Sequence, residues 1–186
     1  MAGSIDIKKT KTELRKTVKF RLAAVAPQQF AAAGRKAAGE LVRLSRWNEY
    51  RSVLVFISIK DEIDTRPIIT AAFNSGKFVF APKTDGDDPA FYQIGQNGSH
   101  TGGILRPEDF PALVITPGLA FDRSLNRLGR GRSFYDRFFA AMDASKRNYT
   151  ALGLCLDCQL FDEVPMDPWD KKLDMLLTES GFILPP

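Results

Sequence analysis

A chain of 186 residues and 20.7 kDa, 44% apolar and 26% charged, has the make-up of one globular domain large enough to bury a sizeable core. The net charge of +4 suits an anionic small ligand as well as nucleic acid and selects neither. No apolar run reaches the roughly 18 residues that a membrane-spanning helix needs, and residues 1–16 are basic without the apolar stretch of a secretory signal, so a cytoplasmic protein is expected.

Two helices come first. Leu14, Val18, Leu22 and Val25 recur at helical spacing, as do Phe30, Ala33, Ala37, Leu41 and Leu44 after the break at Pro27. "VLVFISI" (Val53–Ile59) is a continuous apolar, β-branched run of strand length. It leads into a helix with Thr65 as N-cap, Pro67 in the first turn and Gly76 beyond the end. A strand at Phe78–Pro82, a polar loop from Lys83 to Pro111 and a strand at Ala112–Gly118 follow, then a helix over Phe134–Lys146 and strands at Tyr149–Leu156 and Met175–Ser180. Non-alternating apolar strands separated by helices imply an α/β fold, a mainly parallel sheet covered on both faces, with no internal repeat or dividing linker. In such a sheet ligands bind beyond the carboxyl ends of the strands. That rule gathers "KDEIDT", "APKTDG", "TPGLAFDRSLNRLGRGRS" and "DCQLFDEVPMDPWDKK" at one rim.

The richest of these segments is "RLGRGRSFYDRFF" (Arg127–Phe139). Arg123, Arg127, Arg130, Arg132 and Arg137 carry planar guanidiniums suited to phosphate, while Gly129 and Gly131 let backbone N–H groups approach a ligand. Ser133 stands at a helix N-cap with Asp136 three residues on, so the free N–H groups of the helix start point at the same place. The pattern is not a Walker A loop, and a solvated basic turn is the alternative. Asp136, Asp167, Asp170 and Asp174 are possible Mg2+ ligands, although capping and solvation account for Asp167 and Asp170. Glu62, at a strand's carboxyl end, can accept hydrogen bonds from a ligand. Lys11 and Arg15, spaced i, i+4 on the first helix, read by themselves as surface charges. Cys155 and Cys158 read as ordinary thiols, and the lone His100 disfavours any Ser-His or Cys-His mechanism.

Together these segments resemble the 5-formyltetrahydrofolate cyclo-ligase (methenyltetrahydrofolate synthetase) family. "KTELR" (Lys11–Arg15) is similar to its K-x-x-L-R element and "FISIKDEIDT" (Phe56–Thr65) to its first-strand segment. "TPGLAFDRSLNRLGRGRSFYD" (Thr116–Asp136) matches P-G-x-A-F-D … R-L-G-x-G-x-G-Y-Y-D, and "KKLD" (Lys171–Asp174) matches (K/R)-x-D. The likeness is collinear over nearly the whole chain. It implies one cyclo-ligase domain over residues 1–186, a three-layer αβα, Rossmann-like fold of the NagB/RpiA/CoA-transferase kind, and an enzyme that uses ATP and Mg2+. It implies phosphorylation of the formyl oxygen of 5-formyltetrahydrofolate and ring closure by N10, yielding 5,10-methenyltetrahydrofolate, ADP and phosphate.

The resemblance also distributes roles. Lys11, Arg15, Arg127, Leu128, Gly129, Arg130, Gly131, Arg132, Ser133, Phe134 and Tyr135 would bind ATP, with Arg130 and Tyr135 catalytic. Ile57, Glu62 and Phe134 would bind the folate, and Asp136 and Asp174 would ligate Mg2+. The implied partners are 5-formyltetrahydrofolate and ATP, with neither nucleic acid nor membrane, and the implied state is a monomer. The chain departs from the family pattern at Ser133 (Gly), Phe134 (Tyr), Arg106 (Glu or Gln) and Trp169 (often His). Those departures leave a second reading, a divergent paralogue that binds folate or nucleotide without turnover.

Overall fold

The computed structural model describes residues 6–83 and 89–185. Helices α1 (Ile7–Ala23) and α2 (Pro27–Arg43) precede strand β1 (Ser52–Val55), and α3 (Arg66–Asn74) leads to β2 (Phe78–Lys83). After β2 come β3 (Ala90–Ile94), β4 (His100–Ile104), β5 (Ala112–Thr116), β6 (Ala120–Asp122) and β7 (Arg127–Leu128). Helix α4 (Phe134–Ala144), β8 (Tyr149–Leu154), β9 (Leu160–Phe161), β10 (Met175–Thr178) and β11 (Gly181–Ile183) complete the chain.

Eight strands form one sheet in the order β11-β10-β8-β5-β1-β2-β3-β4. Its centre, β10-β8-β5-β1-β2, is parallel throughout, and the flanking pairs β2-β3, β3-β4 and β10-β11 are antiparallel. Alternate residues of the central strands enter two separate cores. Val53, Val55, Leu113 and Ile115 pack with Val18, Leu22, Leu41, Ile68 and Ala72 of α1–α3. Leu54, Ala112, Val114 and Leu176 pack with Tyr135, Phe138 and Phe139 of α4 on the opposite face. Each fully buried aliphatic side chain contributes about 1.5–3 kcal/mol. This is the expected α/β sheet with helices on both faces. Among the described residues no helix is long and apolar enough to cross a membrane.

Three local expectations are corrected. The segment Lys83–Pro111 is not all loop: it contains the β3–β4 hairpin. That hairpin escapes a reading by apolar runs because only Phe91 and Ile94 of β3 are buried and β4, "HTGGI", is exposed along its length. Part of the expected long loop, residues 84–88, lies outside the described residues. The first strand ends at Val55 rather than Ile59, and Phe56–Asp64 forms the loop above it. Thr65 does precede α3, but its hydroxyl donates to the Phe56 carbonyl at 2.8 Å instead of capping the helix.

Chain direction places the site. From β1 the chain crosses through α3 to β2 on one side, whereas β5 pairs with β1 on the other. The loops leaving β1 and β5 therefore diverge at their carboxyl ends and open a crevice. A small second sheet, β7-β6-β9, stands beside it and carries the chain from β5 into the glycine-arginine loop. Asp122 stiffens the β6–β7 turn: its carboxylate accepts from the backbone N–H groups of Ser124, Asn126 and Val164 and from the Asn126 amide.

Candidate active site

A cavity of about 550 Å³ occupies that crevice. One wall is the loop after β1, with Phe56, Ile57, Ile59 and Glu62, and Pro82 of β2 adjoins it. The facing wall is Pro117 and Gly118 after β5, then Arg127, Gly129, Arg130, Arg132, Ser133, Phe134, Tyr135 and Asp136. An apolar surface with one carboxylate thus faces a cationic loop that opens a helix. The N–H groups of Phe134, Tyr135 and Asp136 lie in the first turn of α4, where no intrahelical acceptor exists.

The loop conformation follows from its residues. Gly131 has φ +104°, which only glycine adopts without strain. Ser133 sits in the left-handed region at φ 48°, ψ 24°, and its hydroxyl makes no capping hydrogen bond. The expected N-cap position is therefore occupied, and the expected side-chain cap is absent.

The arginines differ in their duties. Arg127 is buried, donating to Asp136 Oδ1 at 3.0 Å and to the Pro117 carbonyl at 3.4 Å, with its guanidinium 5.6 Å from the Tyr135 ring centre. Arg130 reaches across the cavity to Asp61 and Glu62, at 2.9 and 3.1 Å. Arg132 is exposed on the lining and, among the described residues, has no hydrogen bond or ion pair, so its five donors are available to an anion. Two buried polar atoms here lack partners, Arg127 Nε and the Tyr135 hydroxyl. Burial pushes the Tyr135 phenol far up, so at neutral pH it is a donor and not a base.

Other expected site residues lie around the cavity without lining it. Arg15 braces the loop, its Nε donating to the Gly129 carbonyl at 3.0 Å. Leu128 buries its side chain in the core, and its carbonyl accepts from Leu119 N at 2.7 Å. Lys11 is buried, and its ammonium is gripped by Asp167 at 2.6 Å and by Asp170. That contact corrects two expectations at once: Lys11 is not a solvated surface charge, and the two aspartates do more than cap and solvate. Burial alone would lower the Lys11 pKa, but the hydrogen bonds and charges of Asp167 and Asp170 outweigh it and raise the pKa above 10.5. The segment after β9 does not line the cavity, but the Lys171 N–H donates to the lining Asp136 at Oδ1, 3.3 Å away.

The two possible metal ligands are placed differently. Asp136 lines the cavity, and both hydrogen bonds to its carboxylate fall on Oδ1. Asp174 precedes β10, and its Oδ2 accepts from Ala151 N at 2.7 Å. Among the described residues no three His, Cys, Asp or Glu side chains cluster as a metal cage. A donor set with one carboxylate on the cavity fits Mg2+ in its usual nucleotide form, in which phosphates and water supply the other ligands. It does not fit a metal held by protein alone. Burial pushes both the Cys155 and the Cys158 thiol up, which favours the protonated form at neutral pH.

The family model described as the 5-formyltetrahydrofolate cyclo-ligase family matches residues 7–179. The chain belongs to this family. A relative from Schizosaccharomyces pombe, named as a probable 5-formyltetrahydrofolate cyclo-ligase, is 33% identical over 168 residues, 77% of this chain and 82% of that protein. The 5-formyltetrahydrofolate cyclo-ligase of Escherichia coli is 28% identical, over 88% of this chain and 97% of that protein. A solved structure of 5,10-methenyltetrahydrofolate synthetase from Aquifex aeolicus superposes with TM-score 0.76 at 26% identity, covering 94% of this chain and 92% of that one. The cavity of this cyclo-ligase family member also draws on residues the sequence did not single out: Phe56, Ile59, Pro82, Pro117 and Gly118 on its walls, and Asp61 beside it. Pro82 carries position as its signal, at a strand's carboxyl end, whereas the others also lie in the segments Phe56–Thr65 and Thr116–Asp136 that carry the family likeness.

Proposed function

We propose that the protein converts 5-formyltetrahydrofolate and ATP to 5,10-methenyltetrahydrofolate, ADP and phosphate, with Mg2+ accompanying the nucleotide. The observation that carries this reading is one cavity with two unlike walls, an apolar wall bearing Glu62 and an arginine-glycine wall at a helix N-terminus. The first suits a flat heterocycle with N–H donors, the second a phosphate chain. The activities of the relatives support it.

In this reading the γ-phosphoryl group of ATP passes to the formyl oxygen, N10 attacks the activated carbon, and phosphate departs. Phosphoryl transfer of this kind rests on positioning and charge neutralisation rather than on a protein nucleophile. Arg132, Arg130 and the N–H groups opening α4 would hold the phosphates. Arg127 fixes Asp136, Arg15 steadies the Gly129 backbone, and Tyr135 offers its hydroxyl as a donor. Asp136, and Asp174 if its bond to Ala151 opens, would hold the Mg2+, which neutralises phosphate charge. Glu62 would accept from the pterin, flanked by Ile57 and Phe134.

The test is direct. Purified protein with MgATP and 5-formyltetrahydrofolate should generate ADP and the near-ultraviolet absorbance of the methenyl product, each dependent on all three components. Folded protein without product refutes the reading. Thermal stabilisation by both ligands without turnover assigns the chain instead to the non-catalytic binders.

A further inference from the structure

Arg130 is shared between two carboxylates. Its NH2 donates to Asp61 Oδ1 at 2.9 Å, and its Nε donates to Glu62 Oε1 at 3.2 Å. Glu62 Oε2 is itself held by the Ile59 N–H at 3.1 Å. Arg130 and Glu62 both line the cavity, on opposite walls, whereas Asp61 does not line it. The Glu62 side chain is 11% exposed, and those of Arg130 and Asp61 are 36% and 37% exposed. Both ligands of the proposed reaction draw on this cluster, the pterin on Glu62 and the phosphates on Arg130.

We propose that Asp61 is a positioning residue: it holds Arg130 at the cavity mouth so that Glu62 can turn its carboxylate from the arginine to the substrate. The inference rests on the reading given under the proposed function. A guanidinium presents five donors in one plane, so it can give up one carboxylate and keep the other. With Asp61 present, Glu62 leaves Arg130 still paired. Without it, Arg130 has Glu62 as its remaining partner, and arginine and pterin compete for the same oxygens. The phosphates feel the reverse, because loss of Asp61 removes an acidic neighbour from the arginine they approach. One substitution should therefore weaken folate binding without weakening nucleotide binding.

The experiment is calorimetric titration of wild type, Asp61→Asn and Asp61→Glu with 5-formyltetrahydrofolate and with a non-hydrolysable ATP analogue plus Mg2+. Asp61→Asn should weaken folate binding by about five- to tenfold, the lower range of ordinary site couplings, and leave nucleotide binding unchanged or tighter. Asp61→Glu should restore the wild-type values. Unchanged affinities, a loss of both together, or a split that Asp61→Glu leaves in place each overturn the role of Asp61. A wild type that binds both ligands while Asp61→Asn changes nothing overturns this inference alone. A wild type that binds neither overturns it together with the functional reading.

Discussion

At the scale of single residues the site carries avoidable costs. Ser133 occupies left-handed backbone at φ 48° with no hydrogen bond from its hydroxyl in return. Such a conformation costs a non-glycine residue about 1–2 kcal/mol. Ser133→Gly should therefore stabilise the fold by about 1 kcal/mol, read as a rise in Tm of about 2–4 °C for a chain of this size. Tyr135 presents the opposite case, a buried hydroxyl without a partner beside the cavity. Replacing an orphan polar atom by hydrogen is neutral or stabilising, so Tyr135→Phe should keep or raise Tm. If the hydroxyl donates to the reacting groups, kcat should fall by about a hundred- to a thousandfold in the same variant, the range for loss of one aimed donor. Melting and turnover measured side by side separate the two effects.

At the scale of elements, the substrate-facing loop is set by a helix behind it. Gly34 of α2 approaches so closely that a Cβ there would lie 2.0 Å from the Asp64 carbonyl oxygen. The Asp64 N–H in turn donates to the Phe30 carbonyl at 3.3 Å. The loop carrying Glu62 is thus seated on bare helix backbone. Gly34→Ala must push it away, at a cost of about 3 kcal/mol as an overpacked contact, and should weaken 5-formyltetrahydrofolate more than nucleotide. Denaturant titration and the two KM values check this, and equal weakening of both substrates counts against it. The same element shows where sequence reading stops. The helical stripe of Phe30, Ala33, Ala37 and Leu41 was plain, and all four are buried. What Gly34 is for was not, because its neighbour is about 30 positions away and only the folded chain brings it close.

At the scale of the whole molecule, Lys11 ties the N-terminal helix to the C-terminal part of the chain through Asp167 and Asp170. Lys11→Ala leaves two carboxylates without their cation and should destabilise by about 2 kcal/mol, less than a fully buried pair because water reaches the aspartates. The Lys11 pKa is raised in the folded protein. Its contribution is then fully present below the unfolded value of 10.5 and is lost as pH rises through the folded value. The Tm gap between wild type and Lys11→Ala should stay level from pH 7 to 10 and close at higher pH. A gap that widens with pH contradicts the assignment.

Sequence by itself determined the layers and the chemistry of the rim. Apolar β-branched runs of strand length between helical patterns point to a sheet buried on both faces, and glycine among arginines before a helix points to an anion, with a solvated turn as the alternative. These runs locate the central strands β1, β2, β5, β8 and β10 along the chain, whereas the polar β3–β4 hairpin and the very short strands β6, β7, β9 and β11 leave no periodic signal. Tertiary structure alone decided which charges meet. Lys11 with Asp167 and Asp170, and Arg130 between Asp61 and Glu62, join distant segments. A charged side chain takes whichever opposite charge folding delivers, and it leaves no spacing in the chain to say which that is.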